Sequence, residues 1–287
     1  MIEVVRPGPL ATVQDLGRPG HAALGVGSSG AADRRALRLA NRLVGNPEDA
    51  AAIEITLGGF RARFAALARI ALAGAPCDAR IAGGAPVGMH APAYVPAGGE
   101  LRLGVPQSGL RTYVAVAGGI DVPPLLGSRS TDTLAGLGPE RLRAGTRLPI
   151  GTVRGDPPGV DAAPVPEPPE VPELRVRLGP RHDWFTAEAI ERLFTATWEV
   201  TADADRVGIR LDGPPLERRE KRELPSEAMV EGALQVPPGG RPVLFLADHP
   251  VTGGYPVIAV VAGDDISAAA QLRPGGRLRF RVSSPKG

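Results

Sequence analysis

The stretch ADHPVTGGYP, residues 247–256, places Asp248, His249, Thr252 and Tyr255 around Gly253 and Gly254. A carboxylate, an imidazole and hydroxyls at this spacing can orient water or a small polar substrate, and adjacent glycine amides can serve an oxyanion. The same letters also suit a hairpin whose Gly-Gly turn takes positive φ. A second stretch, TVQDLGRPGHAALGVGSSGAAD, sets Gln14, Asp15, Arg18, His21 and Asp33 among glycines that let backbone approach a ligand. Its alternative is a solvated loop whose Asp and Gln side chains satisfy turn amides. A third, GSRSTDTLAGLG (127–138), offers Arg129 to a carboxylate, with Ser130, Thr131 and Asp132 as hydrogen-bonding partners. Arg129 and Asp132 would equally make an ion pair or a cap.

Other chemistries find less support. Gly25, Gly27 and Gly30 satisfy G-x-G-x-x-G, but a dinucleotide loop needs a continuous apolar strand before its first glycine, and QDLGRPGHAAL is interrupted by Gly17, Pro19 and Gly20. Neither Ser28 nor Ser29 has glycines two residues away on both sides, so no nucleophile elbow forms. The histidines His21, His90, His182 and His249 and the sole Cys77 lack metal-ligand spacing, so no metal site is expected. ERREKRE (217–223) mixes charge signs and reads as a solvated face.

The elements that must position these loops are short. Gly (38) and Pro (31) approach a quarter of the 287 residues, so turns are many and the architecture is mainly β with few helices. Helices are expected over 31–44, over 187–194 with Thr186 as cap, and after Ser267. Net charge is only +2, which argues against nucleic acid as a partner. The only lysines are Lys221 and Lys286, which leaves no Gly-Lys-Ser/Thr phosphate loop, Schiff base or Met-Lys-Met biotin attachment. One cysteine excludes an internal disulfide, and neither a leader-like start nor an apolar run of membrane length is seen, so a cytoplasmic protein without membrane contact is expected.

Prolines crowd residues 151–172 and mark a linker between an N-terminal β-rich domain (1–150) and a C-terminal domain (173–287). Three stretches recur in the same order on both sides. AIEITLGG (52–59) answers to VGIRLDGP (207–214), VPAGGELRLG (95–104) to VPPGGRPVLF (236–245), and YVAVAGGID (113–121) to VIAVVAGDD (257–265). A tandem pair of related domains is the economical reading.

The same loops carry a family resemblance. TVQDLGRPGHAALGVGSSGAAD, ANRLVGNPEDAAAIE, YVAVAGGIDVPPLLGSRSTDTLAGLG, DRVGIRLDGP, SEAMVEGALQVPPGG and ADHPVTGGYPVIAVV resemble, in collinear order from about residue 3 to 280, the KipA family, also called allophanate hydrolase subunit 2 or biotin-dependent carboxyltransferase-like proteins. The resemblance implies two tandem cyclophilin-like β-barrel domains. It also implies the C component of an ATP-dependent 5-oxoprolinase, which opens the lactam of 5-oxoproline to glutamate together with a KipI-like partner and a LamB/YcsF-like partner. The alternatives are a carboxyltransferase acting on urea or a similar small amide with a separate biotin carrier, and a regulatory partner of a KipI-like chain. No cofactor is expected to be covalently bound; the complex would use ATP, and biotin enters only under the carboxyltransferase alternative.

A planar amide needs donors for its oxygen and an acceptor for its N–H. On the resembling motifs the catalytic candidates are Asp15, Arg18, Arg129, Asp248 and His249. Substrate contacts are expected from Gln14, Glu54, Ser130, Asp132, Arg206, Glu227, Thr252, Gly253, Gly254 and Tyr255. Two departures bear on the substrate. His249, Pro250, Val251 and Thr252 stand where many relatives have Arg-Gln-Thr-Thr, and Ala204-Asp205 replaces Ser-Asn before Arg206.

Overall fold

The structure of the chain is a computed structural model describing residues 1–84, 86–156 and 158–283. Pro157 of the expected linker and the last residues of the expected C-terminal domain, 284–287, lie outside the described residues. The chain divides into two compact units. Unit 1 comprises Met1–Pro19, Ser29–Asp132 and Gly136–Pro166; unit 2 comprises Gly20–Ser28, Thr133–Ala135 and Glu167–Gly287. Residues 20–28 and 133–135, which the sequence assigns to the N-terminal domain, therefore belong to unit 2.

Unit 1 carries strands β1 (Ile2–Arg6), β2 (Leu10–Gln14), β3 (Ala52–Thr56), β4 (Arg61–Phe64), β5 (Ala68–Gly74), β6 (Ala79–Ile81), β7 (Pro92–Val95), β8 (Glu100–Leu103), β9 (Arg111–Val116) and β10 (Arg147–Leu148), with helix α1 (Arg34–Leu43). They form two sheets, β10-β1-β4-β8-β6 and β2-β3-β9-β5-β7. Alternation along each strand sets what each face meets. Ile2, Val4, Ala62 and Phe64 of the first sheet share one core with Ile53, Ile55, Ile70, Leu72, Val114 and Val116 of the second. The opposite face of the second sheet presents Ala52, Ala71, Ala73, Tyr113 and Ala115 to Leu37, Ala40 and Leu43 of α1. Covered on both sides, β9 is buried along its whole length, and alanines on the helix side allow close approach.

The α1 helix begins three residues later than its apolar spacing predicts, because Asp33 takes the cap and accepts from the Ala36 N–H. That carboxylate occupies the place a phosphate would need at a nucleotide loop. Gly30 has φ +99°, and a Cβ there would come within 2.8 Å of the Gly17 nitrogen and the Leu16 carbonyl carbon. This glycine serves chain approach.

Unit 2 carries β11 (Glu173–Leu178), α2 (Ala187–Thr195), β12 (Trp198–Ala204), β13 (Gly208–Asp212), β14 (Glu227–Ala228), β15 (Ala233–Gln235), β16 (Val243–Phe245), β17 (Thr252–Gly253), β18 (Val257–Val261), α3 (Gly263–Ala269) and β19 (Arg277–Val282). Seven of these strands close a barrel in the order β11-β18-β15-β16-β13-β12-β19, sealed by parallel pairing of β11 with β19. Trp198, Phe280, Val176, Ile209 and Ile258 fill it, and α2 adds Ala189 and Leu193 to the same core. Thr186 caps α2 as its sequence position predicts. Helix α3 starts before Ser267 and not after it: Asp264 and Asp265 stand in its first turn, where the helix dipole favours carboxylates. Among the described residues no helix is long and apolar enough to cross a membrane.

Candidate functional site

In unit 1 the end of β2 and the loop 127–138 are tied together by the Asp15 carboxylate. Its Oδ1 accepts from the hydroxyls of Ser128 (2.6 Å) and Ser130 (2.5 Å) and from the Gly17 N–H (2.8 Å). Its Oδ2 accepts from the Arg129 N–H at 2.5 Å. The Ser130 hydroxyl in turn accepts from the Asp15 N–H, and the Ser128 hydroxyl accepts from the Ser130 N–H. A carboxylate holding four donors fixes the loop; proton transfer at Asp15 would require one donor to leave first. Beside it, Gln14 donates to Thr12 Oγ1 and the Thr131 carbonyl, and Arg18 donates through Nη2 to the Ser130 carbonyl. Arg18 is buried, and among the described residues its Nε and Nη1, Gln14 Oε1 and Thr131 Oγ1 have no partner. Asp132 stands on the same loop, its N–H donating to the Leu137 carbonyl.

Arg129 turns its side chain elsewhere. Its Nε donates to the Val122 carbonyl (2.7 Å) and its Nη2 to Asp121 Oδ1 (2.9 Å), while the guanidinium stays partly exposed. It lines a cavity of about 640 Å³ within unit 1, together with Asp15, Gly17, Pro19, Asn46, Asp49, Gly118, Gly119, Asp121, Gly151 and Arg154. Mixed charge, exposed backbone and one anchored cation suit a small polar molecule. Glu54 lies apart from this cavity in a buried network. Its Oε2 accepts from the Tyr113 hydroxyl (2.6 Å) and the Ala32 N–H (3.0 Å), and its Oε1 lies 3.7 Å from Arg111 Nε. The Tyr113 hydroxyl accepts from the Asp33 N–H. Burial and the neighbouring Glu54 carboxylate hold that phenol well above its ordinary pKa, so it remains a donor. Glu54 thereby positions the entry to α1.

In unit 2, Arg206 and Asp248 form a buried two-pronged pair, with Nε and Nη2 each 2.9 Å from the carboxylate oxygens. Thr133 adds its N–H (2.9 Å) and hydroxyl (2.7 Å) to Asp248 Oδ2. His249 points away, its Nδ1 at 2.8 Å from the Pro250 carbonyl. Glu227 pairs across from Gly253 and Ala228 from Thr252, and Arg181 donates to the Glu227 carboxylate. Tyr255 is half-exposed; its carbonyl accepts from Gln235, and its ring lies 5.9 Å from the Arg218 guanidinium. Neither Gly253 nor Gly254 adopts positive φ, so the hairpin alternative loses its reason for two glycines. At Gly253 a Cβ would come within 2.5 Å of Gln235 Nε2 and 3.2 Å of Met229 Cγ, so a larger residue there displaces the Gln235 side chain.

Within unit 1 the structure thus gathers Gln14, Asp15, Arg18, Arg129 and Ser130 and leaves Glu54 to a network of its own. Within unit 2 it joins Arg206 to Asp248 and turns His249 and Tyr255 to other contacts. Residues the sequence reading passed over include Ser128, Thr133, Tyr113 and Asp121. Ser128 and Thr133 flank residues already singled out, while Tyr113 follows Arg111 and Thr112 at the start of β9, in register with Glu54. Among the described residues no group of His, Cys, Asp or Glu could hold a metal.

Comparison with known proteins gives this arrangement a context. The family described as the carboxyltransferase domain, subdomain A and B, matches residues 24–282. The chain is 39% identical to the 5-oxoprolinase C subunit of Escherichia coli K12, over 98% of this chain and 90% of that protein. It is 34% identical to the Haemophilus influenzae protein of the same name, over 99% and 92%. Among solved structures, TTHA0988 superposes with a TM-score of 0.89 at 36% identity; the match covers 98% of this chain and about half, 55%, of that one. The K. lactis urea amidolyase superposes with a TM-score of 0.91 at 31% identity over 99% of this chain and 19% of that one.

Proposed function

This chain belongs to the carboxyltransferase domain family, subdomains A and B, and from that premise we propose that it is the C component of an ATP-dependent 5-oxoprolinase, acting with a KipI-like partner and a LamB/YcsF-like partner. The carrying observation is coverage in both directions: the match to the E. coli protein takes in 98% of this chain and 90% of that one. In this reading the unit 1 cavity receives the small lactam. Arg129 keeps Nη1 free of protein partners among the described residues while Nε and Nη2 are anchored, so it presents a fixed cation to a substrate carboxylate or to an activated oxygen. Asp15 is a positioning residue that holds the Ser128–Ser130 backbone at the cavity wall. ATP is consumed by the complex, and no cofactor is attached to this chain.

The TM-score of 0.91 to the K. lactis urea amidolyase favours a second reading, a carboxyltransferase acting on urea or a similar small amide. Biotin does not fit as a group attached here: Lys221 and Lys286 sit in Glu-Lys-Arg and Pro-Lys-Gly, so a separate carrier would bring it. Glutamate release from 5-oxoproline with ATP, measured with the purified KipI-like and LamB/YcsF-like partners with and without this chain, separates the readings. Turnover that needs this chain supports the lactamase. Stable assembly without turnover, combined with carboxylation of urea when a biotin carrier is added, supports the second reading. Assembly with neither activity would leave regulation of a KipI-like chain as the role.

A further inference from the structure

The outer face of the first sheet of unit 1 carries two rows of charged residues with opposite logic. In one row, cross-strand register places Arg147 beside Glu3, Glu3 beside Arg63, and Arg63 beside Glu100, so charges alternate from strand to strand. In the next, Arg6 stands beside Arg61, Arg61 beside Arg102 and Arg102 beside Arg80, four arginines in line across β1, β4, β8 and β6. Like charges directly opposite one another destabilise a sheet. Glu100 relieves the middle of the row: its carboxylate accepts from Arg61 (2.6 and 2.8 Å) and Arg102 (2.9 Å) and lies 3.5 Å from Arg63. Among the described residues the Arg80 side chain pairs only with the exposed Asp78, and Arg6 is exposed with no side-chain partner. Six guanidinium groups face three carboxylates, and the surplus exceeds the +2 of the whole chain.

We propose that this arginine row is a docking surface for an acidic, extended segment of a protein partner. Neighbouring strands lie about 4.8 Å apart, so the row runs roughly 14 Å, and an extended segment laid along it presents one face every 6.6–7 Å or so. Three alternate carboxylates then fall within the row, each between or upon guanidinium forks that match carboxylates in pairs. The interleaved Glu3, Glu100 and Asp78 would repel the continuous phosphates of nucleic acid. The three carboxylates also halve the net charge that six arginines would offer an anionic membrane, whose attraction runs at about 1 kcal/mol per basic residue near its surface. The inference does not depend on the activity proposed above.

The test uses the full chain and a fluorescent twelve-residue peptide with glutamate at alternate positions and threonine between, read by anisotropy at low and moderate salt. Saturable binding is expected, weakened at least tenfold by Arg6→Glu with Arg80→Glu and more mildly by the corresponding Gln pair. Neither end residue bonds to Glu100, so thermal melting of these variants should match the parent. Arg277→Glu, an exposed arginine of unit 2, should leave binding unchanged, and a peptide with glutamine for glutamate should not bind. Absence of saturable binding, or equal loss with Arg277→Glu, overturns the proposal. Tighter binding of heparin or of phosphatidylserine vesicles through the same two arginines would overturn it in favour of a polyanion or membrane surface.

Discussion

Arg129 divides its work between backbone and side chain, which makes the two separable by mutation. Its N–H closes the cage around Asp15, whereas its guanidinium is anchored to Asp121 and Val122 at the cavity wall. Arg129→Ala keeps the first and deletes the second. A charge-assisted contact is worth about 1.5–3 kcal/mol, so kcat/KM of the reconstituted complex should fall roughly 10–150-fold while the urea midpoint stays within experimental error. Arg129→Lys cannot span two anchors and a substrate together and should recover little. Asp248 predicts the reverse pattern. It is buried against Arg206 and also takes both donors of Thr133. Asp248→Ala takes from the buried Arg206 guanidinium its two-pronged carboxylate and should cost about 3–5 kcal/mol of unfolding free energy, measured in urea. Removing Arg206 as well should cost less than the sum of the single changes, because the two side chains share one interaction that either removal already breaks.

At the scale of elements, the turn into α1 and the arginine-bearing sheet each make a prediction. Gly30→Ala forces a Cβ to within 2.8 Å of backbone at a φ of +99°, so a loss of about 1–3 kcal/mol is expected, read as a lower urea midpoint. In the sheet, hydrogen bonds from Arg61 and then Arg102 hold the Glu100 carboxyl below its ordinary value of 4.5. The unfolded chain binds that proton more readily, so the stability Glu100 adds is present above about pH 4.5 and drains as pH falls through the depressed native value. Glu100→Gln should therefore be less stable than the parent at pH 7 and lose less between pH 5 and pH 3. These elements were legible in the sequence to unequal degrees. The Thr186 cap and the apolar spacing of Leu37, Ala40 and Leu43 fixed α2 and α1 because both signals are local. The start of α3 was hidden since Asp264 and Asp265 read as the tail of a strand repeat, and the arginine row exists only through cross-strand register. The loop 127–138 was recognisable as a polar site, but the cage around Asp15 spans more than a hundred residues of chain and left no local pattern.

At the scale of the whole molecule, the compact units do not follow the two halves of the chain. Proline-rich composition over 151–172 marks where the chain passes toward its C-terminal half, yet unit 2 also takes in residues 20–28 and 133–135 from before that passage. One of these residues matters energetically: Thr133 supplies two hydrogen bonds to the buried Asp248 carboxylate. A fragment beginning at Glu167 would contain the closed barrel with all its strands and core, and Asp248 would keep Arg206 but lose both Thr133 donors. Hydrogen bonds to a charged group are worth about 1.5–3 kcal/mol each, against a typical domain stability of about 5–15 kcal/mol. The fragment 167–287 should accordingly fold with the barrel's circular dichroism but unfold at a clearly lower urea concentration than the same unit in the full chain. Thr133→Ala in the full chain should reproduce part of that loss, since it removes the hydroxyl and keeps the N–H. If fragment and full chain unfold at the same midpoint, the barrel's stability resides in its closed sheet and core alone, and the borrowed segments contribute nothing to it.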